Sequence, residues 1–202
     1  STDLFGALPK IRLLSSDHPL DASVADHLDI QYLQFLIALA YVAHEGQQRV
    51  GGEPYFNHVL RVANAVSVRL PGNADATAAA FLHDTVEDKR ATWEAIRARA
   101  RPRTCELLDF VSRRDGEIYF DGFIKRIGQE ADAIVIKHAD IADNSDPRSL
   151  DHFDTRRREF SLRRYWRAEN YLTERLYRHW SHARVEEMNM RTMPDKETGY
   201  YE

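Results

Sequence analysis

Eight residues, Phe81-Leu82-His83-Asp84-Thr85-Val86-Glu87-Asp88, constrain this chain more than any other stretch. They continue a run from Ala76 to Leu82 that is alanine-rich, strongly helix-forming and apolar enough to be buried. Extended as a helix, the run sets Glu87 four residues after His83 and Asp88 four after Asp84. Those spacings place four polar side chains on adjoining faces of about one and a half turns. Three of the four are acids at the C-terminal end, where the helix dipole is already negative. Like charges at i,i+4 add about a few tenths of a kcal/mol to that penalty. A cation reverses its sign, and His and Asp are ordinary ligands for Mn, Fe or Zn. The competing reading is a solvated acidic helix end with a chance histidine.

The remainder reads almost entirely as helix. Asp29 to Glu45 is apolar on most sides and hence central, and Gly46 ends it. Glycines and Pro54 mark a loop up to Asn57, which is placed to cap a helix from His58 to Arg69. Pro71-Gly72-Asn73 is a turn, and Ala74 to Glu87 is the helix just described. Thr92 caps a further helix striped with Trp93, Ile96 and Ala100. Thr104–Val111 and an amphipathic segment from Tyr119 to Ile127 follow. Ala131–Asn144 holds the unbroken apolar run Ala133–Ile136, with strand as the competing reading there. As a helix it puts Lys137, Asp140 and Asn144 on one face. A buried amine and acid are costly unless paired or liganded. Asp146-Pro147 stops that helix. Thr155 to His182 is one long helix rich in arginine, read as the solvated face of an element that closes the bundle. An anionic-ligand surface is the alternative. Residues 1–25 and 190–202 are read as loop-rich ends of a single domain with its core at about 29–182.

Composition narrows the function. A net charge of −4 with 30% charged residues does not advertise nucleic-acid binding. One cysteine, Cys105, excludes a disulfide framework and suits a reducing compartment. No apolar run approaches the roughly 20 residues that span a bilayer, and no basic-then-apolar leader is present. A cytoplasmic location is expected.

Two histidines and two carboxylates from three helices, His58, His83, Asp84 and Asp140, make a plausible ligand set for one divalent metal, Mn²⁺, Fe²⁺ or Zn²⁺. Such a cation lowers the pKa of a bound water and polarises a phosphoryl oxygen. Glu87 and Asp88 are then candidates to orient or deprotonate the water. Lys137, Arg49 and Arg113 or Arg114 are candidates to hold phosphate oxygens.

The order His58…His83-Asp84…Asp140 resembles the HD superfamily of metal-dependent phosphohydrolases. Ala43 to His58 is similar to the "AHxGQxRxxGxPYxxH" segment of RelA/SpoT-type alarmone hydrolase domains, Leu82–Asp88 to their "LHDxxED", and Lys137–Asn144, more loosely, to their "KLADRLHN". The resemblance implies an all-α HD-domain bundle in which His58, His83, Asp84 and Asp140 bind Mn²⁺. It implies that Glu87 and Asp88 steer the water, that Arg49 flanks the nucleobase, and that Tyr55, Lys137 and Asn144 line a nucleotide pocket. The implied reaction removes the 3′-pyrophosphate of (p)ppGpp. In a chain of 202 residues there is no room for a second synthetase domain of similar size, so the expectation is a stand-alone small alarmone hydrolase. Departures lie in the third segment. His138, Ile141 and Asp143 replace the family's Leu, Arg and His, and Ser145-Asp146-Pro147 follows. They leave (p)ppApp or NADPH open as substrates. A nucleotidase or dNTPase of the same superfamily, or a non-catalytic nucleotide-binding regulator, are the rival functions.

Overall fold

The computed structural model describes residues 22–192, with side-chain surroundings given for residues 29–183. Of the loop-rich ends expected from the sequence, residues 1–21 and 193–202 lie outside the described residues. Over the described part the fold is all-α. No strand occurs there, only an isolated antiparallel bridge between Gln48 and Pro54.

The first helix, α1 (Ala22–Ala43), starts earlier than the predicted Asp29. It buries Leu36, Leu39 and Ala40. The loop after it is pinched by two backbone bonds, Arg49 N–H to the Glu53 carbonyl and Tyr55 N–H to the Gln47 carbonyl, both 2.9 Å. This pinch delivers Pro54 to the cap position, so α2 (Tyr55–Arg69) begins without a side-chain cap. Asn57 therefore lies inside the first turn and does not serve as the predicted cap. At Gly51 the loop has φ +107°, a region that only glycine enters readily, and the His152 ring packs directly against its Cα. Val59, Val62, Ala63 and Val66 form the inward stripe of α2 at helical spacing.

Asn73 caps α3 (Ala74–Leu82) by accepting from the Ala76 amide at 2.9 Å. Every residue of α3 from Ala76 to Leu82 is buried. The sequence expectation that this helix runs on to Glu87 is overturned, because α3 ends at Leu82. Thr85 supplies the reason. Its hydroxyl and its amide both donate to the Leu82 carbonyl, at 2.7 and 2.9 Å, competing for the helix's own acceptor. The Thr85 carbonyl in turn accepts from Arg90 and Ala91, and Lys89 adopts a left-handed φ of +56°. Residues 83–89 thus coil as consecutive turns, and Glu87 and Asp88 do not share the helical faces of His83 and Asp84.

Thr92 caps α4 (Trp93–Arg97) as predicted, accepting from the Ala95 amide at 3.2 Å. Pro102 opens α5 (Pro102–Val111). A π-helical turn, Tyr119–Ile124, runs into α6 (Lys125–Ile127). Next, α7 (Ala131–Ser145) settles the strand-or-helix question at Ala133–Ile136 in favour of helix. That run is buried on all sides because α2, α3, α5 and α9 surround it. Pro147 ends α7 and starts the short α8 (Pro147–Leu150). The long α9 (Thr155–Thr192) closes the bundle, with Ala168, Leu172 and Leu176 turned inward. Its other side leaves Phe160, Trp166, Tyr177 and Trp180 exposed.

Candidate metal centre

The centre forms where α2, the end of α3 and α7 meet. His58 comes from the first turn of α2, His83 from the residue that ends α3, and Asp140 from the buried face of α7. One donor atom from each of these three lies within 4.8 Å of the other two. Asp84 joins them, its Oδ2 being 3.0 Å from His83 Nε2 and 3.5 Å from His58 Nε2. Asp140 Oδ1 lies 3.4 Å from His58 Nε2 and 3.7 Å from His83 Nε2.

The orientation of the two imidazoles tests whether these residues suit a cation. His83 Nδ1 sits 2.8 Å from the Ala80 carbonyl, and His58 Nδ1 sits 2.7 Å from Asp143 Oδ2. Both partners are acceptors, so each Nδ1 carries the proton and each Nε2 presents a lone pair. The two Nε2 atoms face one another at 3.3 Å between two carboxylates. Lone pairs and negative oxygens converging in a buried space repel unless positive charge lies among them. The same demand for positive charge draws protons to the two Nε2 atoms. Burial opposes charge on both rings, but hydrogen bonds to Asp140, Asp143 and Asp84 outweigh it at His58 and push its pKa to about 11. For His83 burial is likewise outweighed, chiefly by the Asp84 charge and the Asp140 hydrogen bond, and its pKa rises to about 9. Burial would raise Asp84 and Asp140, yet Asp84 is held well below the usual carboxylate range chiefly by the His83 charge, and Asp140 chiefly by Lys137. The cluster fits a divalent cation with N/O ligands.

The surrounding residues hold this arrangement. Lys137 Nζ donates to Asp140 Oδ2 at 2.6 Å, so this buried amine and acid are paired. Asn144 donates to Asp140 Oδ1 at 2.6 Å and accepts from Arg49 Nη2 at 2.8 Å. Arg49 Nη1 reaches Asp143 Oδ2 at 2.7 Å. The Tyr55 hydroxyl donates to Asp84 Oδ2 at 2.5 Å, which ties this residue to an acid of the centre.

Glu87 and Asp88 are exposed at the rim, not inward-facing as the helical reading had them. Asp88 accepts from Gln47 Nε2 at 2.7 Å, and Gln47 in turn bonds His44 Nδ1 at 2.8 Å. Glu87 accepts from the Arg113 backbone amide at 3.1 Å. Desolvation raises the Glu87 pKa, with Asp84 and Asp140 adding to the shift against the Arg113 amide and Lys137. Beyond Glu87 opens a cavity of about 560 Å³ bordered by Lys89, Trp93, Ser112, Arg113 and Arg114. The Arg113 guanidinium is committed to the Glu117 carbonyl, and Arg114 to Asp109. The predicted phosphate-holding role of these two arginines thus begins from side chains that already have partners.

Sequence reasoning assigned no role to Asp143, Arg61, Gln47 or His44. Asp143 had a signal, since it lies three residues after Asp140 on the same side of α7. Arg61 lies three after His58 on α2 and pairs with both Glu53 and Asp143.

A family model described as an HD domain matches residues 37–139, and the chain belongs to the HD domain family. Among curated relatives, a guanosine-3′,5′-bis(diphosphate) 3′-pyrophosphohydrolase of Haemophilus influenzae is 39% identical over 77 residues, which is 38% of this chain and 11% of the relative. The bifunctional (p)ppGpp synthase/hydrolase SpoT of Escherichia coli K12 is 33% identical over 125 residues, 57% of this chain and 18% of the relative. The alignments thus span less than a fifth of these relatives' lengths. A solved structure described as a metazoan ortholog of SpoT that hydrolyses ppGpp superposes with a TM-score of 0.61 at 22% identity, covering 81% of this chain and 98% of that one. That likeness establishes the fold. No helix among the described residues is long and apolar enough to cross a membrane.

Proposed function

We propose that this HD domain is a divalent-metal-dependent pyrophosphohydrolase that removes the 3′-pyrophosphate of (p)ppGpp or a related alarmone such as (p)ppApp. The observation that carries the reading is the convergence of His58, His83, Asp84 and Asp140, with both Nε2 lone pairs turned toward the carboxylates. Relatives described as a 3′-pyrophosphohydrolase and as a bifunctional (p)ppGpp synthase/hydrolase support it.

In this reading the four residues hold Mn²⁺, Fe²⁺ or Zn²⁺, which supplies Lewis-acid activation of a phosphoryl group and of water. Glu87, with its pKa raised and its carboxylate at the rim, takes the proton of the attacking water. The water oxygen bonds to the phosphorus attached to the ribose 3′-oxygen. That P–O bond breaks, pyrophosphate departs, and the 3′-oxygen takes up a proton. Asp88, held by Gln47, keeps the rim acidic and orients the same water. Lys137 remains cationic, because pairing with Asp140 outweighs its burial, and its free N–H bonds are available to phosphate oxygens. Arg49 presents a guanidinium fixed at both Nη atoms, a flat face suited to stacking on a nucleobase. Tyr55 and Asn144 line this nucleotide side.

The test is product release with Mn²⁺ from a panel of ppGpp, pppGpp, ppApp, NADPH, dGTP and AMP, with Asp84→Ala as control. Pyrophosphate from a 3′-pyrophosphorylated member, lost in the control, is expected. Phosphate from AMP, NADPH or dGTP alone overturns the alarmone assignment and favours another HD phosphohydrolase. Metal binding with silence across the panel favours a nucleotide-binding regulator.

A further inference from the structure

The third segment of the RelA/SpoT-like pattern carries histidine where this chain has Asp143. The substitution places a carboxylate at a junction that a single imidazole cannot fill. Asp143 Oδ2 accepts from His58 Nδ1 and from Arg49 Nη1, each at 2.7 Å. The other oxygen, Oδ1, accepts from Arg61 Nε, and Arg61 Nη2 reaches Oδ2 at 3.2 Å. Arg61 is itself braced by Glu53, at 2.6 and 3.1 Å. A carboxylate has enough lone-pair positions for all of these donors at once.

A closed circuit results. Hydrogen bonds lead from His58 through Asp143 to Arg49 and through Asn144 to Asp140, whose Oδ1 then faces His58 Nε2 at 3.4 Å across the cation position. Only one tautomer of His58 is compatible with it, the one that aims the Nε2 lone pair at Asp84, His83 and Asp140. A carboxylate behind a ligating histidine fixes the ring's orientation and raises its basicity as a ligand.

We propose that Asp143 is the positioning residue of this centre: it sets the tautomer and tilt of His58 on the metal side and pins Arg49 on the nucleotide side through one carboxylate. The inference rests on the metal-centre reading above and concerns residues of this chain, not its choice of substrate.

The test is the Mn²⁺ dissociation constant of the full chain, read by the electron paramagnetic resonance of free Mn²⁺, with thermal midpoints recorded alongside. Asp143→Ala should weaken Mn²⁺ about 10–100-fold, the usual effect of losing such an outer partner. Asp143→Asn keeps an oxygen that accepts from Nδ1–H, so it should recover much of that loss and settle about 3–10-fold above wild type. Glu53→Gln, which loosens Arg61 but leaves Asp143 on His58, should leave the constant unchanged. A role confined to stability lowers the midpoint and leaves the dissociation constant alone, and that result, in a folded Asp143→Ala chain, overturns the proposal. If the alanine chain does not fold, a wild-type dissociation constant in Asp143→Asn overturns it equally. A wild-type chain that binds Mn²⁺ but releases no pyrophosphate from any nucleotide defeats the proposed function and leaves this inference standing. One that binds no Mn²⁺ defeats both.

Discussion

The floor of the site and its rim are built on different terms. On the floor, His58, His83 and Asp140 are 1–4% exposed, and each of their ring nitrogens and carboxylate oxygens faces a polar partner. At the rim, Glu87 is exposed and takes one backbone donor, while the buried Ser112 hydroxyl beside it has no hydrogen-bond partner among the described residues. The floor is anchored by helices that the hydrophobic core holds in place. The rim rests on turns and on the 112–116 loop. A ligand set needs fixed geometry whatever the nucleotide, whereas groups that meet water and substrate must remain reachable. In the proposed reading the floor binds the cation and the rim carries the chemistry.

Substitutions can break that division. The largest effect is expected from Asp84→Ala, which removes a floor carboxylate and the acceptor of Tyr55; turnover should fall to background and Mn²⁺ should bind weakly, both read on the same preparation. Glu87→Gln should leave Mn²⁺ binding intact and lower kcat about 10²–10⁴-fold, the span of a lost general base. A Glu87→Gln chain with wild-type kcat would move the proton-accepting role elsewhere. In the wild type, the raised Glu87 pKa should lift the acid limb of the kcat profile above that of an ordinary carboxylate, and the limb should vanish in Glu87→Gln. Asp88→Asn should cost about tenfold in kcat, since it keeps a partner for Gln47 and loses only the charge.

The smallest effect concerns stability away from the chemistry. His138 is half-buried with its Nε2 unpartnered; desolvation first, then Arg69, lowers its pKa to about 4. The unfolded chain binds this proton near pH 6.5, so His138 costs stability progressively as pH falls from there toward 4. His138→Leu should therefore lose less stability than wild type over that interval, measured by denaturant midpoints.

Much of the fold was legible in the sequence, and the reason is local. α2, α5, α7 and α9 each show apolar residues at helical spacing, and Thr92 announced its cap. Eight of the ten residues singled out for the site are joined by polar contacts at one place, and Glu87 and Asp88 stand at its rim instead. What misled was propensity. Ala74–Glu87 reads as a continuous helix until Thr85 turns its hydroxyl back on Leu82, an interaction with no periodic trace. Asp143 escaped notice for a different reason: its partners come from 82 to 94 positions away, and only the packing of α2 and the loop before it on α7 brings them to it. Charges that pair across helices leave no spacing to read.

The contact at Gly51 bears on where a minimal working fragment can be cut. The family match stops at 139, and the last of the ten site residues is Asn144. Yet the loop that carries Arg49 leans through Gly51 on His152, and α7 packs against Ala168 and Leu172 of α9. A piece ending just past Asn144 would hold every residue the pattern names while lacking the buttress for its arginine and the lid of its core. The smallest piece that keeps the frame of this site thus extends well into α9, some way beyond the last residue that a pattern search would keep.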